Sequence, residues 1–139
     1  PLVSSIVIAF ASLGRNVPFA FNRKEKKDHG EGGVIIGTPL KGRVLIVDDV
    51  ISAGTSVNES VNLILEEGAK PSGIAISIDR EEKGTGLLSA VEEIKETHHL
   101  PICHLTSLQE LMRYIEHHET YASHINAMRD YQKLYGIKA

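Results

Sequence analysis

Two adjacent carboxylates, Asp48 and Asp49, close the apolar run Arg43 to Asp48 (RVLIVD) and stand just before the small-residue stretch Ser52-Ala53-Gly54-Thr55-Ser56. A run of that kind predicts a strand buried on both faces, as in a parallel sheet. Residues Ser56 to Glu67 place Val57, Val61, Ile64 and Leu65 on one helical face, with Gly68 to close the helix. The acids therefore fall at the carboxyl end of a strand, where open α/β sheets bind ligands. The loop after them offers backbone N–H groups and three hydroxyls at the positive end of a helix, which suits a phosphate. Gly54 allows close approach, since no Cβ stands in the way. No Lys follows in the Walker position, which excludes a nucleoside-triphosphate P-loop. Ionised carboxylates only accept hydrogen bonds, so acids beside a phosphate cradle fit the vicinal hydroxyls of a ribose. The predicted ligand is a sugar phosphate. The plainer reading, a helix start beside solvated acids, leaves the coincidence of acid pair, small-residue loop and strand-to-helix junction unexplained.

A second cluster is cationic. Asn22 to Gly33 (NRKEKKDHGEGG) has no hydrophobic period and predicts an exposed loop. Arg23, Lys24, Lys27 and His29 fall within seven residues, and Gly30, Gly32 and Gly33 supply a hinge. On composition alone this is a solvated charged turn. Beside the acid pair it offers cations for an anionic leaving group and a loop able to close over it. Other candidates take bland readings. His98-His99 and His117-His118 are adjacent pairs, not the i, i+4 pairs that put two ligands on one helix face, and read as solvated surface. Cys103 reads as a small core residue in an apolar strand. Met112 and Met128 read as core. Gly30-Glu31-Gly32-Gly33 is not GxGxxG and follows no strand, so no dinucleotide site is expected.

The remaining elements must position these groups. Leu2 to Leu13 is apolar nearly all round and predicts a buried helix stopped at Gly14. Short strands are expected at Val17 to Phe21 and Val34 to Gly37, buried strands at Ile74 to Ile78 and Ile102 to Leu105. Leu87 to Thr97 predicts a helix with Leu87, Leu88, Val91 and Ile94 inward. Ser107 and Glu110 form a capping box before the stripe Leu108, Leu111, Met112 and Ile115. Thr120 is placed to cap a last helix bearing Tyr121, Ile125, Met128 and Leu134. Alternating strand and helix predict an α/β domain with a mostly parallel sheet flanked by helices. With 139 residues, one domain spanning 1–139 is expected.

Composition bounds the function. The apolar share is 42% and the formal charge is −3, which excludes a disordered chain and a general nucleic-acid binder. The apolar run Ile6 to Ala11 falls far short of the roughly 20 residues that span a bilayer, so no membrane partner is expected. The single cysteine suits a reducing, cytoplasmic setting.

The segment Val44 to Val57 (VLIVDDVISAGTSV) closely resembles the phosphoribosyl-pyrophosphate (PRPP) motif of type I phosphoribosyltransferases, which have a Rossmann-like α/β fold. Phe21 to Gly33 (FNRKEKKDHGEGG) resembles the catalytic loop of the orotate phosphoribosyltransferases. Ser77 to Arg80 (SIDR) is similar to their orotate-reaching stretch. The likeness runs over essentially the whole chain. It implies that Asp48 and Asp49 hold the ribose hydroxyls and that Val50, Ile51, Ser52, Ala53, Gly54, Thr55 and Ser56 form the loop around the 5-phosphate. It implies that Arg23, Lys24, Lys27 and His29 close over the pyrophosphate across the subunits of a homodimer, Lys27 acting in catalysis. Arg80 and Ser52 would hold orotate. Many relatives have Thr where Ser52 stands, so a methyl is lost and the hydroxyl kept. Mg2+ is implied as cofactor, held mainly through PRPP with no direct protein ligand assigned.

The implied reaction transfers phosphoribosyl from PRPP to orotate, giving orotidine 5′-monophosphate and pyrophosphate in de novo pyrimidine synthesis. The resemblance also implies a further segment before Pro1 that completes the orotate and pyrophosphate sites, so residues 1–139 alone are expected to be nearly inactive while still able to bind ribose 5-phosphate or a nucleotide monophosphate weakly. A non-catalytic PRPP- or nucleotide-binding module of the same fold remains the alternative. A transferase for a purine base is a third reading, opposed by Arg80 and the basic loop.

Overall fold

A computed structural model describes residues 2–27 and 33–137. The elements run α1 (Leu2–Ser12), β1 (Ala20–Lys27), β2 (Gly33–Gly37), β3 (Arg43–Asp48), α2 (Thr55–Glu66), β4 (Lys70–Asp79), α3 (Ala90–His98), β5 (Ile102–Ser107), α4 (Leu108–Glu116), a 3-10 segment (Glu119–His124) and α5 (Ile125–Tyr135). Strands β3, β4 and β5 form a parallel sheet in that order, with Asp48 opposite Ile76 and Ile74 opposite Ile102. Strands β1 and β2 form a separate antiparallel pair, Phe21 opposite Ile36 and Lys27 opposite Gly33. The architecture is the expected α/β one.

One core joins the sheet to α2 and α3. Ile46 from β3, Val57, Val61 and Ile64 from α2, Ile74 and Ile76 from β4, and Ala90 and Ile94 from α3 make its centre. Val57 and Ile74 are each 1% exposed, and burying side chains of this size stabilises by about 1.5–3 kcal/mol each. After α2, Gly68 donates to the Leu65 carbonyl at 3.0 Å and Ala69 to that of Ile64 at 3.0 Å, turning the chain into β4. Serines start the next two helices. Ser89 and Glu92 form a capping box on α3, and Ser107 and Glu110 form the expected one on α4.

Several expectations are corrected. The polar run from Asn22 is not a loop throughout: Asn22 to Lys27 continue β1, paired with β2, with the register irregular between Asn22 and Lys27. A two-stranded arm need not bury either face, so its polar sequence lacks the alternation that marks a half-buried strand. Helix α1 is apolar but has no buried residue, and Ile8 is 68% exposed. Its half-buried face is Val3, Ile6, Val7 and Phe10. Gly14, at φ +76°, ends it as expected. Strand β3 is an outer strand among the described residues, so Leu45 is exposed rather than buried on both faces. Leu65 lies off the buried face of α2. The third helix begins at Ala90, because Ser89 caps it, which leaves Leu87 in the preceding loop and in solvent. Strand β5 is also an outer strand, so Cys103 and Leu105 are exposed, not core. Thr120 sits inside the 3-10 segment and caps nothing, while Met128 is half-buried and Leu134 exposed on α5.

Candidate functional site

Asp48 ends β3 and is half-buried; Asp49 is exposed. The Asp49 N–H donates to Asp48 Oδ1 at 2.9 Å. The Asp49 carbonyl accepts from Ser77 N at 3.0 Å and from Ile78 N at 3.1 Å, which ties the acid pair to β4. Burial pushes the Asp48 carboxyl above its ordinary value, the Asp49 N–H opposes this, and the neighbouring Asp49 charge adds to it. A carboxylate left under that strain favours a ligand that supplies hydroxyl donors or positive charge.

The loop after the acids is anchored from below and open above. Ile51 is 3% exposed and belongs to the core, so its contribution to a ligand is main chain only. Val50 is half-buried, whereas Ser52, Ala53, Thr55 and Ser56 are exposed. Gly54 is the N-cap of α2, at φ 72° and ψ 0°, and offers no side-chain cap. The first-turn N–H groups of α2 are thereby left for an anion. A Cβ on Gly54 would lie 2.5 Å from Ile94 Cδ1. This position thus requires glycine twice, for its left-handed φ and for the helix packed against it.

Arg80 directly follows the last residue of β4, beside β3. Its Nη2 donates to Ser52 Oγ, so two predicted base-binding residues 28 apart in sequence meet. Nη2 also donates to Glu82 Oε2 at 3.2 Å. Arg80 Nε lies 3.1 Å from Glu82 Oε1, an ion-pair contact without hydrogen-bond alignment. The Tyr131 hydroxyl on α5 donates to Glu82 Oε1, and this bond raises the tyrosine pKa above its ordinary value. Neither Glu82 nor Tyr131 was signalled by motif or spacing.

The loop from Arg80 to Ser89 is clasped by α3. Glu93 accepts from Thr85 N at 2.9 Å, Thr85 Oγ1 at 3.1 Å and Gly86 N at 2.5 Å. These backbone donors hold the Glu93 carboxyl below its ordinary range. Here sequence held a usable signal: the Ser89-x-x-Glu92 spacing marks the helix start that fixes this loop. His98 departs from the solvated reading, being half-buried with Nε2 2.5 Å from Asn58 Oδ1. His117 and His118 are exposed, their Nδ1 atoms bonded to the Arg113 and Tyr114 carbonyls.

The cationic residues are placed less fully. Arg23 is half-buried in β1, and no hydrogen bond or ion pair joins it to the loop at 48–56 among the described residues. Lys24 and Lys27 belong to the same strand, but their side chains lie outside the described residues, as do His29, Gly30 and Gly32 entirely. An apolar cleft of about 300 Å³ lies between the β1–β2 arm and β3, with Asn22 and Asp48 both on its wall. Among the described residues no group of three or more His, Cys, Asp or Glu side chains converges. A hard divalent cation would thus take at most the Asp48–Asp49 pair from this region and oxygens of a ligand for the rest.

Residues 1–95 match the phosphoribosyl transferase domain family. The chain is 54% identical over 136 residues to the orotate phosphoribosyltransferase of Chromobacterium violaceum, covering 98% of this chain and 64% of that protein. It is 53% identical over 137 residues to that of Thiobacillus denitrificans, covering 99% and 65%. The chain thus spans under two thirds of the length of these curated relatives. Among solved structures, the orotate phosphoribosyltransferase of Francisella tularensis superposes with a TM-score of 0.75 at 32% identity, over 98% of this chain and 62% of that one. The Mycobacterium tuberculosis enzyme in complex with PRPP superposes with a TM-score of 0.57 at 26% identity, over 70% and 52%.

Proposed function

We propose that this chain, which belongs to the phosphoribosyl transferase family, carries the ribose-phosphate and base sites of an orotate phosphoribosyltransferase acting in de novo pyrimidine synthesis. The observation that carries the reading is the meeting of Arg80 with Ser52 at the ends of adjacent parallel strands. One loop there serves both halves of the reaction: its acids and backbone suit a ribose 5-phosphate, and its first hydroxyl meets a guanidinium suited to an anionic base.

The chemistry follows from the groups. Pyrophosphate leaves the anomeric carbon of PRPP as a pyrimidine nitrogen of orotate bonds to it. The ribose gains positive character as the leaving group gains negative charge. Asp48 and Asp49 accept from the ribose hydroxyls and stand near the developing positive charge. The open N–H groups of α2 and the hydroxyls of Ser52, Thr55 and Ser56 hold the 5-phosphate. Arg80 pairs with the orotate carboxylate through a charge-assisted hydrogen bond. Arg23, Lys24, Lys27 and His29 neutralise the pyrophosphate in a water-excluded site. Asp48 and Asp49 are the carboxylates that could help hold Mg2+ with PRPP bound, and the ion would lower the negative charge of the leaving group. A homodimer in the cytoplasm, each basic segment reaching its partner's site, completes the proposal. No helix among the described residues is long and apolar enough to cross a membrane.

The deciding experiment is calorimetry of the chain with PRPP and Mg2+, followed by an orotate-depletion assay. PRPP binding is expected, and no binding would overturn the site. Turnover is expected once residues 1–139 replace the matching part of the Chromobacterium violaceum enzyme, and binding without turnover in that chimera would favour the non-catalytic module. Light scattering tests the dimer.

A further inference from the structure

Arg80 would be a poor specificity element if it were free to swing, since a flexible cation attracts any anion. It is not free. Its side chain is 34% exposed and that of Glu82 is 15% exposed. Nη2 is engaged by both Ser52 and Glu82, and Nε is buried against the Glu82 carboxylate. Nη1 takes no acceptor among the described residues and is not buried, so its two N–H groups are the donors left over. Glu82 is itself held from both sides. Its carbonyl accepts from Ala90 N at 3.0 Å, it bridges to Gly136, and the next residue, Lys83, donates its N–H to the Tyr135 carbonyl at 2.8 Å. The hydroxyl of Tyr131, on the same helix as Tyr135, then fixes one carboxylate oxygen.

We propose that Glu82 and Tyr131 are positioning residues for base selection: through them α5 aims the Arg80 guanidinium so that Nη1 meets the carboxylate of the base. The inference rests on the reading of Arg80 as the base-site residue. Glu82 neutralises much of the guanidinium charge, so an incoming ligand must supply the right geometry as well as a negative charge. Tyr131 touches no ligand and works only through Glu82. Helix α5, which adds no buried residue to the core, thereby gains a role in the site.

The test uses the 139-residue chain, with orotidine 5′-monophosphate and ribose 5-phosphate as calorimetric probes and the Arg80 Nε–H resonance as a ligand-free readout. Tyr131→Phe removes only the hydroxyl, and Glu82→Gln keeps the shape without the charge. Tyr131→Phe, which keeps the Glu82 charge, is expected to weaken orotidine 5′-monophosphate by roughly tenfold, the worth of one charge-assisted hydrogen bond, with ribose 5-phosphate affinity unchanged; in Glu82→Gln the freed guanidinium charge offsets the lost aim, so a smaller loss is expected. Both should also speed solvent exchange of the Arg80 Nε–H. If Arg80→Ala costs affinity but the two variants match the unmodified chain in affinity and exchange, the positioning inference is overturned and the base-site reading stands. Equal loss for both probes in Tyr131→Phe would likewise overturn it, as a purely structural effect. If Arg80→Ala leaves orotidine 5′-monophosphate affinity unchanged, or if the unmodified chain binds neither probe, the base-site reading itself is overturned.

Discussion

The two halves of the site hang on neighbouring strands yet are built by opposite means. At the end of β3, nine consecutive residues, Asp48 to Ser56, supply acids, loop and helix start, and the local chain order does most of the positioning. At the end of β4, Arg80 depends on groups far away in sequence: Ser52, and Glu82 held by Tyr131, 49 residues on. Their carboxylates differ in the same way. Burial raises the pKa of Asp48, so its charge is a strain on the fold, while backbone donors lower that of Glu93, so its charge supports the fold. On the proposed roles, the phosphate half would give up stability for function, while the base half gains a shape from its charges.

The largest expected effect lies in the first half. Asp48→Asn with Asp49→Asn removes two charged acceptors, each worth about 1.5–3 kcal/mol, and should weaken PRPP by roughly 10²–10⁴-fold in calorimetry. The fold should persist. At neutral pH the Asp48→Asn variant should even melt higher than the unmodified chain. The sign follows from the raised pKa: the folded state holds its proton more tightly, so the contribution to stability is present below pH 3.8 and lost as pH rises through the folded value. A lower Tm at neutral pH would break the contrast between the two carboxylates.

Arg80→Ala comes next. Losing its pairing with the base should cost about 1.5–3 kcal/mol, roughly 10–100-fold in orotidine 5′-monophosphate affinity. Ribose 5-phosphate should bind as before; loss of both ligands would show that the two halves are one unit. Gly54→Ala should act on stability, because the new methyl needs a left-handed φ and meets Ile94. A loss of about 1–3 kcal/mol is expected in urea unfolding, with phosphate affinity falling as well. An unchanged midpoint would mean that α3 yields freely, so the first half is less rigid than its core contacts indicate.

The smallest effect belongs to Glu93→Gln. Its lowered pKa means that the contribution to stability is present above pH 4.5 and lost as pH falls through the lower folded value. The variant should melt slightly below the unmodified chain at neutral pH, and the two curves should converge in acid. A gap that persists in acid would assign the clasp to packing instead of charge.

This contrast also explains what was legible beforehand. Asp48 to Ser56 could be read because strand, acids, loop and helix are contiguous, so each residue type announces its neighbour's role. The parallel sheet could be read from the alternation of strand and helix. Glu82 and Tyr131 could not be read, since a Glu after an Arg and a Tyr on a polar helix are ordinary on their own. The start of α3 was misplaced because Leu87 and Leu88 continue the helical period, and the capping Ser89 overrides it. Asn22 to Lys27 looked like a loop because a strand pair outside the main sheet has no buried face to impose alternation. Helix α1 and strand β3 looked buried because composition reports the wish to be covered, and not whether a cover is present.

The bond between Tyr131 and Glu82 also bears on the order in which the molecule is made. A chain emerges from its N-terminus and its units fold as they become available. The sheet grows in that order, β4 pairing with β3 and β5 with β4 as each appears. The loop at 48–56 has all its supports once α3 has emerged. The aim of Arg80 waits for residue 131, which emerges well after α3. On the proposed roles, a nascent chain would acquire its grip on ribose phosphates well before it could discriminate among bases.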